Sequence, residues 1–261
     1  MGIGAVAAVC VYARESSLGL VVVALCFVVA RHRFRRSTLT GAAVTVMLVV
    51  ASLVPWAVRN ERITGSWVWL TTRAGISLYD GVRPGATGAS DLGNIKNMPA
   101  VRGLSETQWN RYFLDASRAA IAEDPGRIVR LGGVKFMRMW NPFPNVDTYQ
   151  SSFVRAVSAG WAFPTFALAA VGAVYLPIRR RQAGLWMAMF LCLPAVYLTA
   201  LHCLFVGSVR YRLGAVPMLH ILAAVGLVAV WDWRRAEPQP LACAESARAE
   251  ALGSARGSRD Q

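Results

Sequence analysis

The sequence predicts an all-α, polytopic membrane protein, and three observations carry that prediction. Apolar residues fill 55% of the 261 positions and the mean hydropathy is +0.40, a composition of bilayer-spanning chains rather than of water-soluble ones. The apolar residues gather into about six runs, the length scale of membrane segments. Positive charge is in excess, with Lys+Arg 28 against Asp+Glu 14. Its dense arginine clusters all fall on one side when the runs alternate, as the positive-inside rule requires. Arginines placed at run ends report topology and lipid phosphate. No nucleic-acid-binding motif accompanies them, so no nucleic-acid partner is expected.

Residues 1–58 hold the first three segments. Residues 1–12 are apolar but too short to cross about 30 Å of hydrocarbon. They lack a basic n-region and an A-x-A site, which argues against a signal peptide. They are expected to be the end of a spanning helix whose beginning is missing. A polar turn at Ala13-Arg14-Glu15-Ser16-Ser17 leads to a second short run, 18–30, that spans only by borrowing its flanks or thinning the bilayer. The cluster Arg31-His32-Arg33-Phe34-Arg35-Arg36 marks the cytoplasmic side. Residues 40–58 cross outward, with Pro55 and Trp56 at the far interface.

Residues 59–155 read as one large extracytoplasmic loop. Residues 83–102, rich in Gly, Pro and Asn, read as irregular. Ser105-Glu106-Thr107-Gln108 is a capping-box pattern that opens a helix near 106–123. Asp124-Pro125 supplies an N-cap followed by Pro at N1, opening a second helix near 125–140 that Asn141-Pro142 stops. On that helix Arg127, Arg130, Lys135 and Arg138 fall on one arc, opposite Ile128, Val129, Phe136, Met139 and Trp140. Two placements fit such a helix. It can lie in the membrane interface with the basic face toward phosphates or water, or pack on its own domain with the basic face solvated.

Residues 156–235 hold the last three segments. Residues 156–176 cross inward to Arg179-Arg180-Arg181, and 183–206 return outward, interrupted by Pro194. A tight turn, Gly207-Ser208-Val209-Arg210-Tyr211-Arg212, leads into 213–231, which ends at Arg234-Arg235. Residues 236–261 read as a disordered cytoplasmic tail. The cysteines Cys10, Cys26, Cys192, Cys203 and Cys243 show no CxxC or Cys/His spacing. They predict neither a metal site nor a disulfide framework, and the membrane ones are expected to pack between helices.

Pro55-Trp56 with Arg59-Asn60, Gly65, Thr71-Thr72 with Gly75, Leu78 and Gly81, the turn Arg210-Tyr211-Arg212 followed by Pro217, and Ala13-Arg14-Glu15 just after a helix end carry a likeness. In this order and spacing, over 14–231, the chain resembles the later part of a GT-C type membrane glycosyltransferase. It is most similar to the bacterial protein-mannosyltransferase-like and aminoarabinose-transferase-like families. The resemblance implies a multi-pass enzyme of the bacterial plasma membrane. Such an enzyme passes a sugar from a polyprenyl-phosphate donor to a glycan, lipid or protein acceptor outside the cytoplasm, and it needs no cofactor. It also implies a catalytic carboxylate in a first extracytoplasmic loop. Nothing here matches that loop, so the catalytic residue is unassigned, and the chain reads as part of a longer enzyme or a shortened relative. The rival from another class is a non-catalytic accessory or lipid-binding scaffold. A transporter is a third reading, disfavoured because no inverted repeat and no mid-membrane acid is visible.

Departure of a lipid phosphate leaves charge that arginine stabilises through bidentate hydrogen bonds. Arg210 and Arg212, two apart in the outer turn, would point the same way if the turn is extended, with Tyr211 turned to the helices. Arg59 and Asn60, just past a helix end, and Arg73 in the loop are further candidates for phosphate or sugar, as is His202 near the end of its run. Each arginine has interfacial snorkelling as its alternative. Trp67, Trp69 and Tyr79 could stack on a sugar or serve as an aromatic belt. Glu15, Glu61, Asp80 and Asp91 are the carboxylates open to general-base work.

Overall fold

The structure, a computed structural model, describes residues 2–235; the tail expected over 236–261 lies outside the described residues. All regular structure among them is helical. Two short apolar helices, α1 (Gly2–Ala13) and α2 (Ser17–Arg31), precede α3 (Arg36–Thr64). Next come α4 (Ala74–Val82), α5 (Leu92–Lys96), α6 (Glu106–Glu123) and α7 (Pro125–Trp140), then α8 (Ser152–Leu204) and α9 (Val216–Arg235). α3, α8 and α9 are long and apolar enough to cross a membrane.

α8 is a hairpin. At Arg181 the backbone leaves the helical region, with φ 46° and ψ −127°, and the chain folds back so that Gly184 lies against the Leu176 carbonyl. Ala169 and Leu176 of one leg then share a core with Ala188 and Leu191 of the other and with Leu219 and Leu222 of α9. The first leg runs parallel to α9. Their backbones meet at Gly172 and Gly226, and farther along Tyr175 donates to Asp232 at 2.9 Å. α1 lies along α3, with Tyr12 donating to the Ser52 carbonyl.

α2 lies against the second leg of α8. Tyr197 donates to the Ser16 carbonyl at 2.8 Å at one end, and Arg31 sits 5.4 Å over the Trp186 ring at the other. These contacts bring Arg31, the Arg179–Arg181 turn and the end of α9 to one end of the bundle. The turn 14–16 and the domain from α4 to α7 gather at the opposite end. Cys10 and Cys26 depart from the expected packing: both are exposed, because α1 and α2 sit at the bundle's edge and turn those faces outward.

Two boundaries differ from the sequence reading. α3 runs through Pro55 for more than two further turns and stops only at Gly65, whose φ of 67° suits a residue without Cβ. The proline does not end the helix. The stretch 83–102, read as irregular, also holds α5 and a 3₁₀ turn at Pro99–Val101. Ile95 of α5 and Val101 share a core with Ile76 of α4 and Phe113 of α6, and Trp109 donates to the Val101 carbonyl at 2.7 Å. Gly75 allows α4 to approach α6, and Gly81 allows it to approach the end of α8. A Cβ on Gly75 would overlap the Asn110 carbonyl, and one on Gly81 would fall 2.5 Å from the Phe205 carbonyl oxygen.

α6 begins at the Ser105–Gln108 capping box and α7 at the Asp124 cap, which accepts from Arg127 N. α7 is rotated relative to both placements considered for it. Leu131, Lys135 and Met139 are buried, while Val129, Val134, Phe136 and Met137 face out. Two of its cations, Arg127 and Lys135, serve the protein instead of solvent, while Arg130 stays exposed. Arg127 donates to the carbonyls of Arg83 and Ala120, and Lys135, 0% exposed, donates to the Leu204 carbonyl at 2.7 Å. A helix leaves its last carbonyls without partners, and Lys135 supplies one at the end of α8.

Burial holds the Lys135 ammonium down at about 8, with Cys203 and Asp80 opposing the shift and Arg127 adding to it. A lysine whose folded value is depressed costs stability while charged. Above pH 8 the native state sheds that proton while the unfolded chain keeps it to about 10.5. Stability is therefore expected to rise from pH 8 to 10.5 relative to Lys135→Met, in thermal unfolding of both proteins at each pH. A constant difference across that window would show that burial does not shift this group.

Candidate functional site

Where the bundle meets the α4–α7 domain lies a cavity of about 990 Å³. One wall is the α1–α2 turn with Arg14, Glu15 and Ser16. A second is the strap 66–72, carrying Trp67 and Trp69. α4 and α6 contribute Asp80, Asn110, Arg111, Asp115 and Arg118, and the end of α8 with the following turn contributes Tyr197, His202, Arg210 and Tyr211.

The strap is placed by α3. Trp56 and Asn60, one helical turn apart and so on one face, donate to the carbonyls of Leu70 (3.1 Å) and Val68 (2.9 Å). Trp67 and Trp69 meet edge to face, centroids 5.6 Å apart, and both border the cavity. Tyr79 does not join them; it packs on Phe113 at 5.1 Å in the domain core.

The turn after α8 is a 3₁₀ helix, Val209–Gly214, not an extended segment. At three residues per turn, positions two apart diverge, so Arg210 and Arg212 do not form a joint grip. Arg210 is exposed at the cavity, donating to the Tyr211 hydroxyl at 2.9 Å. Arg212 is only 5% exposed and points away from the cavity, donating to the carbonyls of Met139 (3.1 Å) and Asn141 (2.6 Å).

Tyr211 stacks on His202, centroids 3.9 Å apart and planes 14° apart. The Arg14 guanidinium lies 5.4 Å and that of Arg210 4.9 Å from the same ring. His202 Nδ1 is 3.1 Å from the Val206 carbonyl. A carbonyl only accepts, which places the proton on Nδ1 and leaves Nε2 an acceptor, buried and unpartnered.

The structure thus brings Arg210, Tyr211, His202, Trp67, Trp69, Glu15 and Asp80 to one cavity. Arg59 lies over the Trp56 ring at 4.9 Å, outside it. Asn60 and Arg73 border a smaller cavity of about 460 Å³ on the other side of the strap, with Lys96 and Glu106. Glu61 stands exposed on α3. Asp91 pairs with Arg83 at 2.7 Å. Asp80 is buried with both oxygens engaged, accepting from the Ser90 hydroxyl (2.7 Å) and the Asp91 amide (2.9 Å).

Sequence reasoning missed Arg111, Asp115 and Arg118, although their i, i+4, i+7 spacing marks one face of α6. It noted Arg14 only for its place in the resemblance. Compared with known proteins, the chain matches no family model, no curated protein and no solved structure.

Proposed function

We propose that the cavity binds a polyprenyl-phosphate-linked sugar and that the chain is part of an integral membrane glycosyltransferase. One observation carries this reading. A single cavity at the end of the apolar helices combines exposed indoles, several guanidinium groups and carboxylates. Indole faces suit sugar rings and guanidinium groups suit phosphate, and a lipid-linked sugar offers both at the membrane surface.

In this reading the two legs of α8, together with α1, α2, α3 and α9, make six apolar segments of a bacterial plasma-membrane protein. The arginine-rich end faces the cytoplasm by the positive-inside rule, and the α4–α7 domain and cavity face outward. Arg210 and Arg14 hold the phosphate, Trp67 and Trp69 take the sugar, and a glycan, lipid or protein acceptor enters beside α6. Asp80 stands against base catalysis by this chain alone, since its hydrogen bonds hold it as a structural carboxylate. Glu15, exposed at the rim, is the free alternative. The same fact favours the second reading, a lipid-binding scaffold without chemistry.

The test is binding of a short polyprenyl-phosphate sugar to the protein in lipid nanodiscs. A charge-assisted hydrogen bond contributes about 1.5–3 kcal/mol, so Arg210→Ala is expected to weaken binding roughly 10- to 100-fold without changing thermal stability. Equal affinity would reduce Arg210 to an interfacial anchor and remove the reading. Wild-type binding with no transfer to any acceptor would favour the scaffold.

A further inference from the structure

We infer that the outward face of α7 lies against the acyl chains of bilayer phospholipid, so that this helix of the α4–α7 domain is itself membrane-seated. A surface helix bathed by water buries its apolar side and shows its charges. α7 buries Leu131 and Met139, yet over much of its surface it does the reverse. Val129 and Met137 are 76% and 69% exposed, while Arg127 and Lys135 turn inward to backbone carbonyls. Burying a lysine is costly unless it is paired. An arrangement that spends cations inside and leaves Phe136 and Met137 outside is stable where the outside is hydrocarbon.

The helix ends identify the occupant. The C-terminal end is fastened to the long apolar helices: Trp140 donates to the Thr199 hydroxyl at 3.0 Å and meets Phe166 edge to face at 5.5 Å. Just beyond it, Ser158 of α8 donates to the Pro142 carbonyl at 2.7 Å. From there the exposed apolar surface continues along α8 through Val157, Trp161 and Phe163, the surface those helices turn to lipid in any membrane. Along the C-terminal half of α7 runs a shallow groove of about 600 Å³, lined by Gly133, Val134, Met137 and Trp140 with Arg138, Asn141 and Pro142 at its edge. The exposed cation of α7, Arg130, lies near the N-terminal end with Asp124 4.0 Å away, where a tilted helix leaves the hydrocarbon for the head groups.

The experiment places the photoreactive residue p-benzoylphenylalanine at Met137, and at Arg102 as an exposed control in the same domain. The full chain is reconstituted in phosphatidylcholine–phosphatidylglycerol vesicles, irradiated and read by mass spectrometry. Phospholipid adducts at Met137 and none at Arg102 are expected. Cross-links between copies at Met137 would make the face a dimer contact and overturn the inference, and absence of lipid adducts there would overturn it too. Should Met137 variants not reconstitute, Val134 on the same face takes the probe, with the same outcomes deciding.

Discussion

Gly172→Leu is expected to lower the thermal midpoint of the detergent-solubilised protein by roughly 6–12 °C. Gly172 on the first leg of α8 and Gly226 on α9 face each other where the two helices pack backbone to backbone. A Cβ on Gly172 would overlap the Leu222 carbonyl, and one on Gly226 would overlap the Leu168 carbonyl. Glycine lets two backbones approach this closely, gaining van der Waals contact where the surroundings provide no hydrophobic drive between helices. Leucine has no room here to rotate into, because the obstacle is backbone on a neighbouring helix. The helices must separate, opening the core of Ala169, Leu176, Leu219 and Leu222. Overpacking of this kind costs about 3 kcal/mol or more, and each kcal/mol moves the midpoint of a chain this size by about 2–4 °C. Gly41→Leu, at a glycine with open space around it, is the control. An unchanged midpoint in Gly172→Leu would mean that the two helices do not cross at these glycines.

The parts of this fold that follow from local rules were legible in the sequence. Ser105 with Gln108, and Asp124 with Pro125, state where α6 and α7 begin because a cap is satisfied within four residues. The arginine clusters state which ends come together, because every reversal of the chain moves charge to a predictable end. The far end of α3 was not legible: the crossing was read as 40–58, and the helix runs on to Thr64. Proline removes one amide donor from a helix, but the strap bonded to Trp56 and Asn60 holds the continuing turns in place, and that support comes from residues 68 and 70.

The candidate site was legible in its aromatic and arginine content but not in its sorting. Arg210 and Arg212 are identical in type and two positions apart, and only the 3₁₀ geometry of the turn sends one to the cavity and the other into the protein. The basic arc of α7 was misread for a related reason. Helical periodicity shows which side chains share a face, yet it does not show that the face meets the carbonyls ending another helix. Lys135 and Arg212 form a reciprocal arrangement. Lys135 of α7 reaches the carbonyl that ends α8, and Arg212, just after α8, reaches the carbonyls that end α7. Neither partner lies within 60 residues of its cation in sequence.

That arrangement makes Arg212→Ala the second large loss. Met139 and Asn141 stand at the C-terminal end of α7, where carbonyls have no helical partner and the helix dipole favours a cation. Arg212 meets both carbonyls and lies 5.2 Å over the Phe166 ring. Alanine leaves two carbonyls unsatisfied in a buried place, at about 1–3 kcal/mol each, and empties the space beneath Phe166. A drop of about 3 kcal/mol, or roughly 6–12 °C in the midpoint, is expected. Arg212→Lys should recover only part of it, since both bonds leave one guanidinium nitrogen, which an ammonium on a stem one bond shorter does not reach as well, and the planar group over Phe166 is lost. The contrast with Arg210→Ala supplies the test, because that change is expected to weaken ligand binding and leave the midpoint alone. Loss of binding with an unchanged midpoint in Arg212→Ala would instead give Arg212 a direct hold on the ligand, contrary to its position between α7 and α8.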